Sequence, residues 1–137
     1  MLAHPPEWFQ ANLAKARQFV GPTKPERWLV DFFARHHLPF QYVGNGQLWI
    51  GMLNPDFTST DSTKRLVEMF GCYHHGCQRC FPGSKAKGIP LRQRLSTFRK
   101  YGYDTLVIWE HELKDPTFER RLLAILIPSE VSAPIPS

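Results

Sequence analysis

Cysteine is scarce in this chain of 137 residues, and the scarcity is uneven: all three cysteines fall in the stretch GCYHHGCQRC, residues 71–80. An odd, clustered set excludes the disulfide framework of a small secreted domain and leaves metal binding as the natural use of reduced thiols. Long apolar runs are missing as well, so no membrane span is expected. The opening residues MLAHPPEWFQ lack the basic-then-apolar plan of a signal peptide, which makes a cytoplasmic location the expectation. Acidic residues fall short of basic ones, 12 against 17, and the net charge of +5 suits a polyanionic partner. No segment repeats. What is present is a globular composition, 42% hydrophobic and 13% aromatic, at a length that fits one domain with a real core.

The hydrophobic pattern changes period along the chain. Residues 5–19 read as a short amphipathic helix that starts at prolines and is broken by Gly21-Pro22. Thr23 is placed to cap a second helix, with Pro25 in the first turn and Glu26 three residues after the cap. Leu29, Phe32, Phe33 and Leu38 give that helix a core face. Phe40-Gln41-Tyr42-Val43 reads as a strand, Gly44-Asn45-Gly46 as a tight turn, and residues 47–52 as a second strand. Residues 64–70 read as a third strand of the same sheet, and residues 71–88 as a loop rich in Cys, His, Gly and Lys. A basic helix is expected over 92–101, with Leu91, Leu95 and Phe98 as its apolar stripe and Gly102 as its C-cap. Residues 105–109 are nearly all apolar and read as a buried central strand. Asp115-Pro116 opens a last helix that runs to about Leu126. The fold class expected is α/β, a mixed central β-sheet flanked by helices. Residues 1–22 form an N-terminal helical extension, 23–127 the core domain, and 128–137 a Pro/Ser-rich tail.

The carboxylates that matter stand at strand positions. Asp56 follows a proline at the start of a strand, and Glu68 sits in the apolar 66–70 strand. Two antiparallel strands joined by the polar turn 58–63 bring both to one end of the sheet, within reach of one hard cation such as Mg²⁺. Taken singly, Asp56 is a turn-forming acid and Glu68 a surface residue of an edge strand. Glu26 completes a capping box, which needs no other role, although a first-turn glutamate could also reach toward a metal-bound water.

The spacing Cys72-x4-Cys77-x2-Cys80 supplies three soft ligands, whereas tetrahedral Zn²⁺ takes four. His74, His75 and His111 are candidates for the fourth, and His111 would tie the long loop back to the sheet. A closed four-ligand zinc has no open position, so it is structural and leaves a loop histidine free for other work. Lys85, Lys87, Arg92, Arg94, Arg99 and Lys100 form a basic cluster, read as phosphate contacts in a nucleic-acid binder and, residue by residue, as a solvated face.

The order of these pieces resembles a known family. Pro25-Glu26, Phe40-Gln41-Tyr42-Val43-Gly44-Asn45-Gly46, Asn54-Pro55-Asp56-Phe57, Leu66-Val67-Glu68-Met69-Phe70-Gly71 and Tyr73-His74-His75 are similar to the very short patch repair endonucleases and their homing-endonuclease relatives, a branch of the PD-(D/E)xK nucleases. Tyr101-Gly102-Tyr103-Asp104 and residues 106–113 continue the match, which covers about 24–113. The resemblance implies a restriction-endonuclease-like fold, with Asp56 as the metal-binding aspartate, Glu26 near the active site and His75 as the catalytic histidine. It also implies a structural zinc held by Cys72, Cys77, Cys80 and His111. The lysine of the general pattern falls at Phe70, so His75 would supply its function, and His74 stands where the family often has an aromatic residue. Arg92-Gln93-Arg94 stands where the repair enzymes have an acidic residue in the helix before Gly102. The expectation is therefore a Mg²⁺-dependent endonuclease of double-stranded DNA, nicking or homing-type. In it Asp56 and Glu68 would hold the ion and His75 would act as general base. The alternative is a zinc-stapled DNA-binding module without catalysis, and a redox or zinc-storage protein is a weaker third.

Overall fold

The structure, a computed structural model, describes residues 22–127. The helix expected at 5–19 and the tail at 128–137 lie outside the described residues. In chain order the elements are α1 (Lys24–Arg35), β1 (Phe40–Tyr42), β2 (Phe57–Ser59), β3 (Arg65–Phe70), α2 (Leu91–Lys100), β4 (Asp104–Trp109), a 3-10 turn (Glu110–Lys114) and α3 (Phe118–Leu126). The strands form one sheet in the order β1-β2-β3-β4. The first two pairings are antiparallel and β3–β4 is parallel, with α2 in the crossover.

Local chemistry accounts for the start of α1. The Thr23 hydroxyl accepts the Glu26 N–H, and the Glu26 carboxylate accepts the Thr23 N–H at 2.9 Å, so two amides that the helix itself cannot pair are satisfied. Strand alternation then divides the molecule. Val67 and Met69 of β3, with Phe57 and Ile108, face a core built with Leu29, Phe32 and Phe33 of α1 and Phe118, Leu122 and Leu126 of α3. On the opposite face Leu66 packs with Ile50, Leu53 and Phe98 of α2. The sheet is thus covered on both faces, and each of its fully buried Phe side chains contributes roughly 1.5–3 kcal/mol through burial.

Two expectations need correction. Residues 47–52 do not form a strand. Gly51 and Met52 both adopt positive φ, 54° and 68°, which folds the chain into a tight turn closed by a bridge between Ile50 and Leu53. The second strand is β2, and the aliphatic 48–53 segment serves instead to roof α2. Residues 105–109 belong to β4 at the end of the sheet, not its centre; helices packing over the sheet explain its apolar content. Conversely, β3, which carries Glu68, is interior rather than an edge. Among the described residues no helix is long and apolar enough to cross a membrane.

Candidate active site and metal centre

The register of β2 on β3 builds the acid cluster. Phe57 pairs with Val67 and both face the α1/α3 core, so Asp56, one residue earlier, turns to the face that carries Glu68. The Asp56 N–H donates to Glu68 Oε1 at 3.0 Å, and the Met69 N–H donates to Asp56 Oδ2 at 2.8 Å. Pro55 is fully buried and fixes the approach to this pair. Asn54 secures the loop behind it by donating to the carbonyls of Val43 and Leu48 at 2.7 and 2.8 Å. Glu26 arrives from the first turn of α1. It is 9% exposed and keeps its capping role while lining the same cleft.

These carboxyls crowd one another in a poorly solvated place. Burial raises Asp56 well above its usual range, and the charges of Glu68 and Glu26 push it further. Burial also raises Glu68, which is 2% exposed, although Arg94 works against that rise. Arg94 comes from α2: its Nε and Nη2 lie 3.0 and 2.8 Å from Glu68 Oε2, and Nη2 donates to the Asn54 carbonyl at 3.1 Å. Removing one partner of a buried pair of this kind typically costs about 3–5 kcal/mol. Tyr42 stands beside the cluster. Its hydroxyl is pushed up to about 12 by burial and by the charges of Glu26 and Asp56.

The cleft encloses about 440 Å³ and is lined by Glu26, Asp56, Glu68, His75, Arg94, Asn54, Phe70, His74 and Glu110, among others. His75 is held by an aromatic stack: its ring lies 3.8 Å from the ring of Phe70 at 15°, and Phe70 meets Trp109 edge-on. Phe70 therefore gives the histidine a buried platform. Burial, then the Arg94 and His74 charges, hold the His75 imidazole below its usual value, which favours the neutral form able to accept a proton.

The same loop closes a second site. The β3–β4 ladder ends at Phe70 opposite Trp109, so two residues further along each chain Cys72 meets His111. The Cys72 and Cys77 sulfurs lie 3.3 and 3.5 Å from His111 Nδ1. Cys72, Cys77, Cys80 and His111 place one ligand atom each within 4.8 Å of the others, and among the described residues this is the one group of that kind. Three sulfurs and one imidazole nitrogen at this spacing could hold a zinc ion. Burial drives the Cys72 thiol up to about 11. Burial acts on Cys77 in the same sense, but hydrogen bonds from the backbone of Cys80 and Arg79 outweigh it and lower that thiol. The loop is wound tightly: Cys77 N–H donates to the Cys72 carbonyl at 2.9 Å and Lys87 N–H to the His74 carbonyl at 2.7 Å. At Gly76, with φ of 66°, a Cβ would sit 2.7 Å from the Ala86 nitrogen, so only glycine fits.

The structure thus brings Glu26, Asp56, Glu68 and His75 to one cleft and Cys72, Cys77, Cys80 and His111 to one cluster. It sets Arg94 apart from the other basic residues, because its side chain is only 16% exposed and is paired with Glu68. Lys85 and Lys87 remain exposed on the loop, and Arg92, Arg99 and Lys100 on α2. The roles of Arg94 and Tyr42 had no motif to announce them. One signal was readable for Arg94, since it shares a helical face with Leu91 and Phe98, where a charge needs a buried partner. Neither known protein families nor curated proteins match this chain, so its chemistry has to be read from these residues.

Proposed function

We propose that this protein is a metal-dependent endonuclease that hydrolyses phosphodiester bonds in double-stranded DNA, on a restriction-endonuclease-like core of the very short patch repair type. The observation that supports it most is the convergence of three carboxyls and a histidine in one open cleft. The donor set fits a hard divalent cation: Asp56, Glu68 and Glu26 offer oxygen only, and a cation would offset the burial and the repulsion that together raise Asp56. Such an ion supplies Lewis acidity, drawing charge from the phosphate and acidifying the attacking water.

The chain's own residues do the rest. Asp56 and Glu68 hold the cation, and Glu26 orients water from the helix start. His75, kept neutral and fixed against Phe70, accepts the proton of the attacking water. Lys85, Lys87, Arg92, Arg99 and Lys100 hold the duplex by its phosphates in a salt-sensitive, sequence-blind way. Cys72, Cys77, Cys80 and His111 hold a structural zinc that braces the His75 loop. Thiolate ligands of this type suit a reducing, cytoplasmic setting.

A second reading, a zinc-stapled DNA-binding module without catalysis, is favoured by Phe70 at the lysine position. Plasmid nicking in Mg²⁺ separates the two. The wild type is expected to nick and Asp56→Ala to lose nicking by at least roughly a hundredfold. DNA binding by the wild type without nicking would establish the second reading.

A further inference from the structure

Arg94 differs from the other basic residues of α2. Arg92, Arg99 and Lys100 are exposed, whereas Arg94 reaches inward to Glu68 Oε2 and the Asn54 carbonyl. The second oxygen of Glu68 accepts the Asp56 N–H, so both oxygens of this carboxylate are engaged. Oε1 accepts that one hydrogen bond, whereas Oε2 faces both Arg94 Nε and Nη2, so a cation that takes Oε2 displaces Arg94. The guanidinium would not be lost from the site when it does. It lies over the Phe98 ring, 5.3 Å from the centroid, and its planar fork of donors matches two oxygens of a phosphate. β3 itself sends no cation into the cleft at position 70, because Phe70 is buried there against His75.

Resting on the endonuclease reading, we infer that Arg94 is a placeholder cation: it neutralises Glu68 in the resting site, releases it when a divalent ion binds, and then contacts the phosphate to be cut. The resting pair keeps a buried carboxylate from standing unpaired, and the exchange delivers a positive group to the substrate only in the loaded site.

The test uses the full chain with its zinc in place and measures metal binding apart from cleavage. In calorimetry Arg94→Gln should bind Mn²⁺ on the order of tenfold more tightly than the wild type, because Glu68 no longer has to be released first. Its nicking at saturating metal should fall by roughly a hundredfold or more. A residue that merely braced the fold would leave the metal affinity unchanged or weaken it. In the wild type, the Arg94 Nε–H resonance, assigned through its own backbone correlations, should move when Mg²⁺ is added without DNA. That measurement stands even where Arg94→Gln does not fold. Unchanged or weaker Mn²⁺ binding by Arg94→Gln, or an Arg94 resonance indifferent to Mg²⁺, overturns the inference. A wild type that shows the resonance shift yet never nicks DNA sinks the endonuclease reading and, with it, the phosphate half of the inference.

Discussion

Asp56 sits between two demands. Its carboxylate accepts the Met69 N–H at the end of a strand pairing, yet it shares its surroundings with Glu68 and Glu26 and is raised well above its usual range by burial and by their charges. Asp56→Asn keeps an acceptor for Met69 and removes one of the crowded charges. Without added divalent ion it should melt higher than the wild type, by an amount equivalent to about 0.5–2 kcal/mol, while nicking is lost. A variant that melts lower in a thermal scan would show that the crowding is already relieved. At this scale much of the site was legible: Glu26, Asp56 and Glu68 stand at a cap, a strand entry and a strand interior, and the three cysteines all lie within residues 72–80. Arg94 was not legible in its role, because its partner Glu68 lies 26 residues away and on another element. Its place on an apolar helix face marked it as unusual without naming what it would meet.

Between residues and molecule, the elements show where periodicity suffices and where it fails. α1, β3 and α2 were readable from a capping box, an apolar run and a helical stripe. The 47–52 segment was not, because an apolar alternation is equally compatible with a tight turn whose aliphatic side chains dip into the same core. β4 misled for a related reason: a strand at the end of a sheet reads as central when helices cover its faces. The start of α3 carries its own prediction. The Asp115 carboxylate accepts the Thr117 N–H and hydroxyl at 2.9 and 2.8 Å and pairs with Arg121. The Thr117 hydrogen bonds, chiefly the backbone one, hold it below its ordinary value. A depressed carboxylate stabilises the fold above its unfolded pKa and stops doing so as the pH falls through its folded one. Asp115→Ala should therefore lower the melting temperature at neutral pH, with a difference that shrinks on acidification through the carboxylate range. A difference that stays constant over that range would assign the effect to packing instead of charge.

For the whole molecule, one architectural fact governs the rest: the cleft and the cysteine cluster share a loop, with His75 between Cys72 and Cys77. Metal analysis should find one zinc per chain, and its removal by a chelator should lower the melting temperature and free the His75 loop. Retention of the full melting temperature after zinc loss would instead match a storage role. His111→Ala should lose zinc as readily as Cys77→Ser does, since the group closes only with all corners in place. The general plan, a mixed sheet with helices and a metal-binding loop, was open to reading from the sequence. The exchange of partners inside the cleft was not, because it depends on which oxygen each side chain reaches.

The contact between Cys72 and His111 also spans 39 residues of chain, a stretch that contains all of α2 and β4. An ion bridging its ends forbids the unfolded chain most of the arrangements of that stretch, a restriction worth about 4 kcal/mol if it acts like a covalent cross-link over a loop of that size. Zinc would then favour the fold largely by impoverishing the alternative. A chain whose three cysteines all lie within residues 72–80 has no disulfide that could span that stretch.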